Sequence, residues 1–231
     1  MTKVRQRSSI SALIIFAREP KVGTVKTRLC QILPASFVTE LYACFLKDLF
    51  SFTAAVNVDK RFLFYAADSG SIDFLRANAD GFQLLRQAGG SLGDRMRSAF
   101  ERVFKGGAGK ALIIGTDCLS LTTRDFKQAL AALDDHDGVV GPSLDGGYYL
   151  LGMKQLLPEI FQGIEWSSSR VLSQTLKAAK RKRWSTFLLR EQEDIDTMDA
   201  FKRLAADRNL LKRLPVTREF LKKTQPVWKA L

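Results

Sequence analysis

The stretch Ala111–Asp117, ALIIGTD, constrains the fold more than any other part of the chain. Its apolar run shows no polar alternation, the pattern of a strand buried on both faces. Such strands belong to parallel sheets covered by helices on each side. Gly115 permits close approach at the strand's end, Thr116 can hydrogen-bond locally, and Asp117 places a charge there. Ligands of open α/β sheets bind outside the carboxyl ends of the strands. Asp117 is therefore a candidate for chemistry, with a simple turn residue as the alternative reading.

The rest of the chain repeats this theme. Strands are expected over residues 9–16, 61–67, 82–86, 137–141, 148–152 and 184–189. Amphipathic helices are expected over 34–56, 71–79, 91–104 and 122–134, after the serines 167–169 to about 183, and from a cap near Thr197. Ser91 with Asp94, and Thr122 with Asp125, have capping-box spacing. Alternating short strands and helices imply a three-layer α/β domain with right-handed crossovers. The hairpin-like stretch 139–152 adds an antiparallel strand, so the sheet is expected to be mixed. No linker or internal repeat divides residues 1–231, which are expected to form a single domain. The basic segment from about 208 to 231 is expected to pack as a peripheral helix with a frayed end.

Composition excludes little beyond the extremes. The 231 residues are 46% hydrophobic and 26% charged, ordinary for a globular protein, and no apolar run approaches the roughly 20 residues of a membrane span. The basic start MTKVRQRSS is followed by SALIIF and then Arg18 and Glu19, a first strand and not a signal peptide. Three cysteines without zinc or Cys-x-x-Cys spacing fit a reducing compartment, so the cytoplasm is expected. The net charge of +12 favours anionic partners. No zinc-finger spacing or interleaved aromatics accompany it, so no specific nucleic-acid partner is expected. The sole histidine, His136, lies in the charged turn DDHDG and gives little support for histidine acid–base chemistry.

The polar junctions carry the chemistry. The loop after the first strand, AREPKVGTVKTRL, holds Arg18, Lys21, Lys26 and Arg28, a set suited to clamp a phosphate or diphosphate. A solvated basic loop is the bland alternative. Neither a Walker A loop nor a Gly-x-Gly-x-x-Gly fingerprint is present, which disfavours a P-loop NTPase and a dinucleotide oxidoreductase. Gly89–Gly90 and Gly93 would allow close contact with a flat ligand. Asp145, in PSLDGG, is either a turn anchor or a ligand-facing carboxylate. Asp194 and Asp196, spaced i,i+2, would point the same way from an extended stretch. Their spacing suits a divalent cation, and equally suits capping and solvation.

Together the blocks FAREPKVGTVKTRL, QAGGSLGDRM, IIGTDC, GPSLDGGYYLLG and DIDT resemble the bacterial DUF2064 family of glycosyltransferase A-like proteins, from Phe16 to Thr197. The resemblance implies a Rossmann-like nucleotide-diphospho-sugar transferase fold (GT-A-like) with a mostly parallel mixed sheet, related to MobA-like and phospholactate guanylyltransferases. It implies that Arg18, Lys26 and Arg28 contact nucleotide phosphates, and that Gly89, Leu92, Gly93 and Arg95 border the base or ribose. Asp117 takes the place of the carboxylate that holds Mg²⁺ or Mn²⁺. Asp145 would face the acceptor or the metal, and Asp194 or Asp196 the same cleft. Lys26, Arg28, Asp117 and Asp145 are the implied catalytic set. Where the family usually reads GTDCP this chain has Leu119, which questions loop geometry more than metal binding. The implied reaction is metal-dependent glycosyl transfer from a nucleotide-diphospho-sugar to a small-molecule acceptor. The alternatives are nucleotidyl transfer from an NTP to a phosphorylated small molecule, and non-catalytic nucleotide binding.

Overall fold

The computed structural model describes residues 10–66, 68 and 70–229. The expected strand start at residue 9, the end of the expected second strand at 67 and the last two residues of the tail lie outside them. The strands are β1 (Ser11–Ala17), β2 (Lys60–Tyr65), β3 (Gln83–Arg86), β4 (Lys110–Ile114), β5 (Gly138–Pro142), β6 (Tyr148–Met153) and β7 (Thr186–Leu188). They form one sheet in the order β3-β2-β1-β4-β6-β5-β7. Only β6 is reversed, antiparallel to both β4 and β5; every other pairing is parallel. The chain builds outward from β1 to β3 and then crosses to β4 on the other side of β1. That reversal is a topological switch point, where a crevice opens at the carboxyl ends of β1 and β4.

The helices are α1 (Ala35–Ala54), α2 (Asp73–Asn78), α3 (Leu92–Lys105), α4 (Thr123–Asp135), α5 (Val171–Arg181), α6 (Met198–Ala206), α7 (Arg208–Arg213), α8 (Pro215–Lys223) and α9 (Gln225–Lys229). Period-2 alternation along β1 sends Leu13 and Ile15 to one face and Ala12 and Ile14 to the other. The first pair packs with Leu46, Leu49 and Phe50 of α1 and Phe126 of α4. The second packs with Met96 and Phe100 of α3 and Ala178 of α5. The sheet is thus covered on both faces, which is why ALII of β4 needs no polar side. Both expected capping boxes are formed: Ser91 with Asp94 opens α3, and Thr122 with Asp125 opens α4.

The tail differs from the single helix expected of it. Asp207 and Pro215 each start a new helix, so the chain folds into α7, α8 and α9. Leu214 and Leu221 join Phe37 and Leu41 of α1 and Phe201 of α6 in a third apolar cluster. Buried Asp48, in α1, accepts the backbone N–H groups of Val216 and Thr217 at 3.0 and 2.8 Å, satisfying the first turn of α8. Leu119 lies in that cluster too. Where a proline would stiffen the turn, the leucine anchors the loop after Asp117 by burial.

Candidate active site

A cleft of about 500 Å³ opens at the switch point. Four strand ends supply its floor: Ala17–Arg18 after β1, Ala66 after β2, Gln87 after β3 and Gly115–Asp117 after β4. At its centre the Lys26 ammonium lies 2.5 Å from Asp117 Oδ1 and donates to the Ile195 carbonyl at 2.5 Å. The Lys26 side chain is 3% exposed and that of Asp117 46%, so a buried cation meets a carboxylate open to the cleft. Lys26 also has φ +49°, in the left-handed region that side chains other than glycine rarely adopt. That conformation costs about 1–2 kcal/mol, and the surrounding contacts hold it.

The late acidic segment closes the arrangement. The Ile195 N–H donates to the Asp117 carbonyl at 2.8 Å, tying residues 26, 117 and 195 together. Arg28 pairs with Asp196 at 3.1 Å and Arg18 with Asp68 at 3.0 Å. Arg95 donates to Gln87 at 3.1 Å, and Gln87 donates to the Phe64 carbonyl at 2.9 Å. Among the described residues, the buried Arg95 Nε has no hydrogen-bond partner. Burial, and then the like charge of Arg18, lowers the Arg95 pKa. A buried donor without an acceptor, next to a second guanidinium, is poised for an anion.

Asp194 occupies a different environment. Burial, then the charge of Asp117, then that of Asp145, pushes its pKa up to about 6, against a downward pull from Ser143 and Lys26. Ser143 is close enough to favour the charged form of Asp194, yet among the described residues neither its hydroxyl nor the buried Asp194 Oδ1 reaches hydrogen-bond geometry with a partner. Asp194 and Asp117 line a second, smaller cavity of about 250 Å³ that adjoins the cleft.

The expected site residues therefore divide. Arg18, Lys26, Leu92, Arg95, Asp117 and Asp196 line the main cleft, with Arg28 at Asp196. Asp194 and Asp196 do not project together from an extended stretch: the Asp196 N–H turns back onto the Asp194 carbonyl at 3.0 Å, and the two carboxylates line different cavities. Asp145 lines neither cavity. It is exposed and accepts the Gly147 N–H at 2.9 Å, anchoring the β5–β6 turn, and reaches the site only through its charge on Asp194. Gly89 is exposed on its loop and Gly93 faces Trp166, where a Cβ would stand 2.4 Å from the ring; neither lines the cleft. Among the described residues, no three acidic, histidine or cysteine side chains form a ready-made metal cluster. Sequence reasoning missed Tyr42 and Gln87. Tyr42 bridges the Arg18 N–H (3.2 Å) and the Thr116 hydroxyl (3.3 Å), and burial pushes its phenol up to about 12.

Comparison with known families places the chain. Residues 50–168 match DUF2064, described as an uncharacterized protein conserved in bacteria. The chain belongs to the DUF2064 family. It resembles the crystal structure of a candidate nucleotide-diphospho-sugar transferase from Desulfovibrio desulfuricans G20, with TM-score 0.88 and 25% identity over 96% of this chain and 98% of that one. A CMP:2-keto-3-deoxy-manno-octonic acid synthetase complexed with CTP aligns at TM-score 0.57 and 11% identity, covering 91% of this DUF2064 chain and all of the other (100%). Rv0371C of Mycobacterium tuberculosis H37Rv, in complex with manganese, aligns at TM-score 0.52 and 16% identity, covering 85% and 97%. At those lower identities the likeness is one of fold. Among curated proteins, none matches this chain. The DUF2064 chain thus has the mostly parallel, mixed-sheet fold of nucleotide-diphospho-sugar transferases. No helix among its described residues is long and apolar enough to cross a membrane.

Proposed function

We propose that this protein is a metal-dependent transferase that uses a nucleotide-bearing donor, and that the donor is a nucleotide-diphospho-sugar. The observation that carries the reading is the buried Lys26 ammonium held against Asp117 on the floor of a cation-rich cleft at the switch point. Three cations at the cleft have carboxylate partners, Lys26 with Asp117, Arg28 with Asp196 and Arg18 with Asp68, while Arg95 donates to Gln87. A donor diphosphate bound with a divalent cation offers both charges at once, its oxygens to the cations and its metal to the carboxylates. The resemblance at TM-score 0.88 to a candidate nucleotide-diphospho-sugar transferase supports this choice of donor.

The residues fit a hard dication. Asp117 and Asp194 supply oxygen donors only, Asp194 Oδ1 is buried without a partner, and the two carboxylates repel each other. Mg²⁺ or Mn²⁺ prefers such ligands and takes its remaining ones from phosphate and water. Asp117 and Asp194 would hold it, where it would neutralise charge on the diphosphate. Lys26, Arg18 and Arg28 would stabilise negative charge gathering on the leaving diphosphate oxygens. The buried Lys26, fixed by the Ile195 carbonyl, needs little reorganisation to do so. The Arg95 Nε would take a further donor oxygen.

Nucleotidyl transfer is the second reading, favoured by fold neighbours such as the CTP-bound synthetase. Thermal unfolding with NTPs and nucleotide sugars, each with and without Mn²⁺ or Mg²⁺, tests both. We expect metal-dependent stabilisation by a nucleotide sugar, lost in Asp117→Ala, and release of nucleoside diphosphate on turnover. Stabilisation by NTPs alone, with pyrophosphate released in the presence of a phosphorylated acceptor, establishes the second reading instead. Undiminished metal-dependent binding by Asp117→Ala overturns the site.

A further inference from the structure

The loop that carries Asp117 is fastened from the far end of the chain. Between β4 and α4 the segment 115–122 forms neither helix nor strand, so its shape depends on what its polar groups meet. The Ile195 N–H holds the Asp117 carbonyl. The buried Gln192 side chain accepts from the Cys118 thiol at 3.6 Å and from the Ser120 hydroxyl. Arg190 donates to the Ser120 carbonyl at 3.2 Å, while its fork holds both carboxylate oxygens of Asp125, in the first turn of α4, at 2.9 Å. The last arm comes from α7: Arg213 donates to the Ser120 carbonyl at 3.4 Å and to the Leu121 carbonyl. None of the residues of α7 is buried, and Leu210 and Leu211 only lean on the third apolar cluster. A guanidinium that bridges two successive carbonyls fixes the direction of the backbone there, which packing alone does not do.

We infer that Arg213 is a positioning residue for Asp117, so that the C-terminal helices, outside the cleft lining, set the angle at which its carboxylate meets a divalent cation. The inference rests on the metal-dependent reading above and adds a residue that touches neither donor nor metal. Leu119 seats the loop by burial, and Arg190 and Gln192 hold its middle. Loss of Arg213 therefore leaves the loop in place but frees the Leu121 carbonyl and the entry into α4. A ligand carboxylate has to be held to within about 0.5 Å, so a looser loop weakens the metal first. The cations of the cleft have their own holds: Lys26 on the Ile195 carbonyl, Arg18 on Asp68, Arg28 on Asp196.

Titration of Mn²⁺ at a fixed concentration of UDP or of GDP, followed by loss of the free-ion EPR signal, tests this. The Mn²⁺ concentration that half-saturates the protein reads the metal site, and the amplitude reads the amount of folded protein. We expect Arg213→Ala to raise the half-saturating concentration at least about threefold at unchanged amplitude, short of the roughly 10–100-fold cost of a group bonded directly to a metal ligand. Arg213→Lys keeps a donor beside the two carbonyls and should recover most of the affinity. Lys212 is exposed and makes no side-chain hydrogen bond or ion pair among the described residues, so Lys212→Ala should change nothing. An unchanged half-saturating concentration in Arg213→Ala, an equal rise in Lys212→Ala, or a lower amplitude alone overturns the inference while leaving the metal reading intact. A wild-type protein that takes up no Mn²⁺ with either diphosphate overturns the metal reading, and this inference with it.

Discussion

Lys26 concentrates most of what the site can do in one residue. Its ammonium is buried, fixed by two oxygen atoms at 2.5 Å, and carried on left-handed backbone. Removing the charge as Lys26→Met should weaken nucleotide binding by at least about tenfold, since a charge-assisted hydrogen bond contributes about 1.5–3 kcal/mol. The change in melting temperature should be small by comparison, because Asp117 is open enough for water to replace its partner. Calorimetry and thermal unfolding of the same variant separate the two effects. A large loss of stability with unchanged affinity would make Lys26 a structural residue. Which residues bear charge at the cleft was legible in the sequence, because Arg18, Lys26, Arg28 and Asp117 each follow a strand or sit in the loop after one. Their pairing was not, since Lys26, Asp117 and Ile195 meet only through sheet order. Asp145 shows the converse: a carboxylate before paired glycines has the same local signature whether it faces a ligand or, as here, pins a turn through the Gly147 N–H.

At the scale of elements, the strands and helices were legible where local chemistry decides them. The capping boxes of α3 and α4 fix those starts to the residue, and the unbroken apolar run of β4 required cover on both faces. What local chemistry does not carry is the use of one helix by another. Asp48 looks like a surface position of α1, yet it is buried and caps α8 from far along the chain. Asp48→Ala should cost about 1–2 kcal/mol, the size of a lost cap, and lower Tm by about 2–8 °C at roughly 2–4 °C per kcal/mol for a chain of this size. Because the contact lies outside the cleft lining, nucleotide affinity should stay within about twofold below that Tm, well under the tenfold of a 1.4 kcal/mol change. Thermal unfolding and calorimetry check both halves.

Across the whole molecule, the net charge of +12 and the anion-accepting cleft act together. Long-range attraction should speed the approach of a nucleotide diphosphate at low salt and fade as the Debye length shrinks from about 10 Å at 0.1 M to about 3 Å at 1 M. Stopped-flow association at rising NaCl should show a falling on-rate with a much less sensitive off-rate. A salt-independent on-rate would mean that the surface charge has no part in capture.

The tie between Asp117 and Ile195 sets an order in time as well as in space. A chain made from its N-terminus has β1, the basic loop and β4 long before residue 195 leaves the ribosome. Until then Lys26 lacks its carbonyl and the backbone of Asp117 its N–H donor. The pairing of β1 with β4 uses no residue beyond Ile114, so the sheet's central strands can pair while the cleft floor is still incomplete. On the proposed reading, competence for nucleotide thus arrives late in synthesis, and a chain cut short before its last acidic segment would keep the central strands without the cleft floor they position.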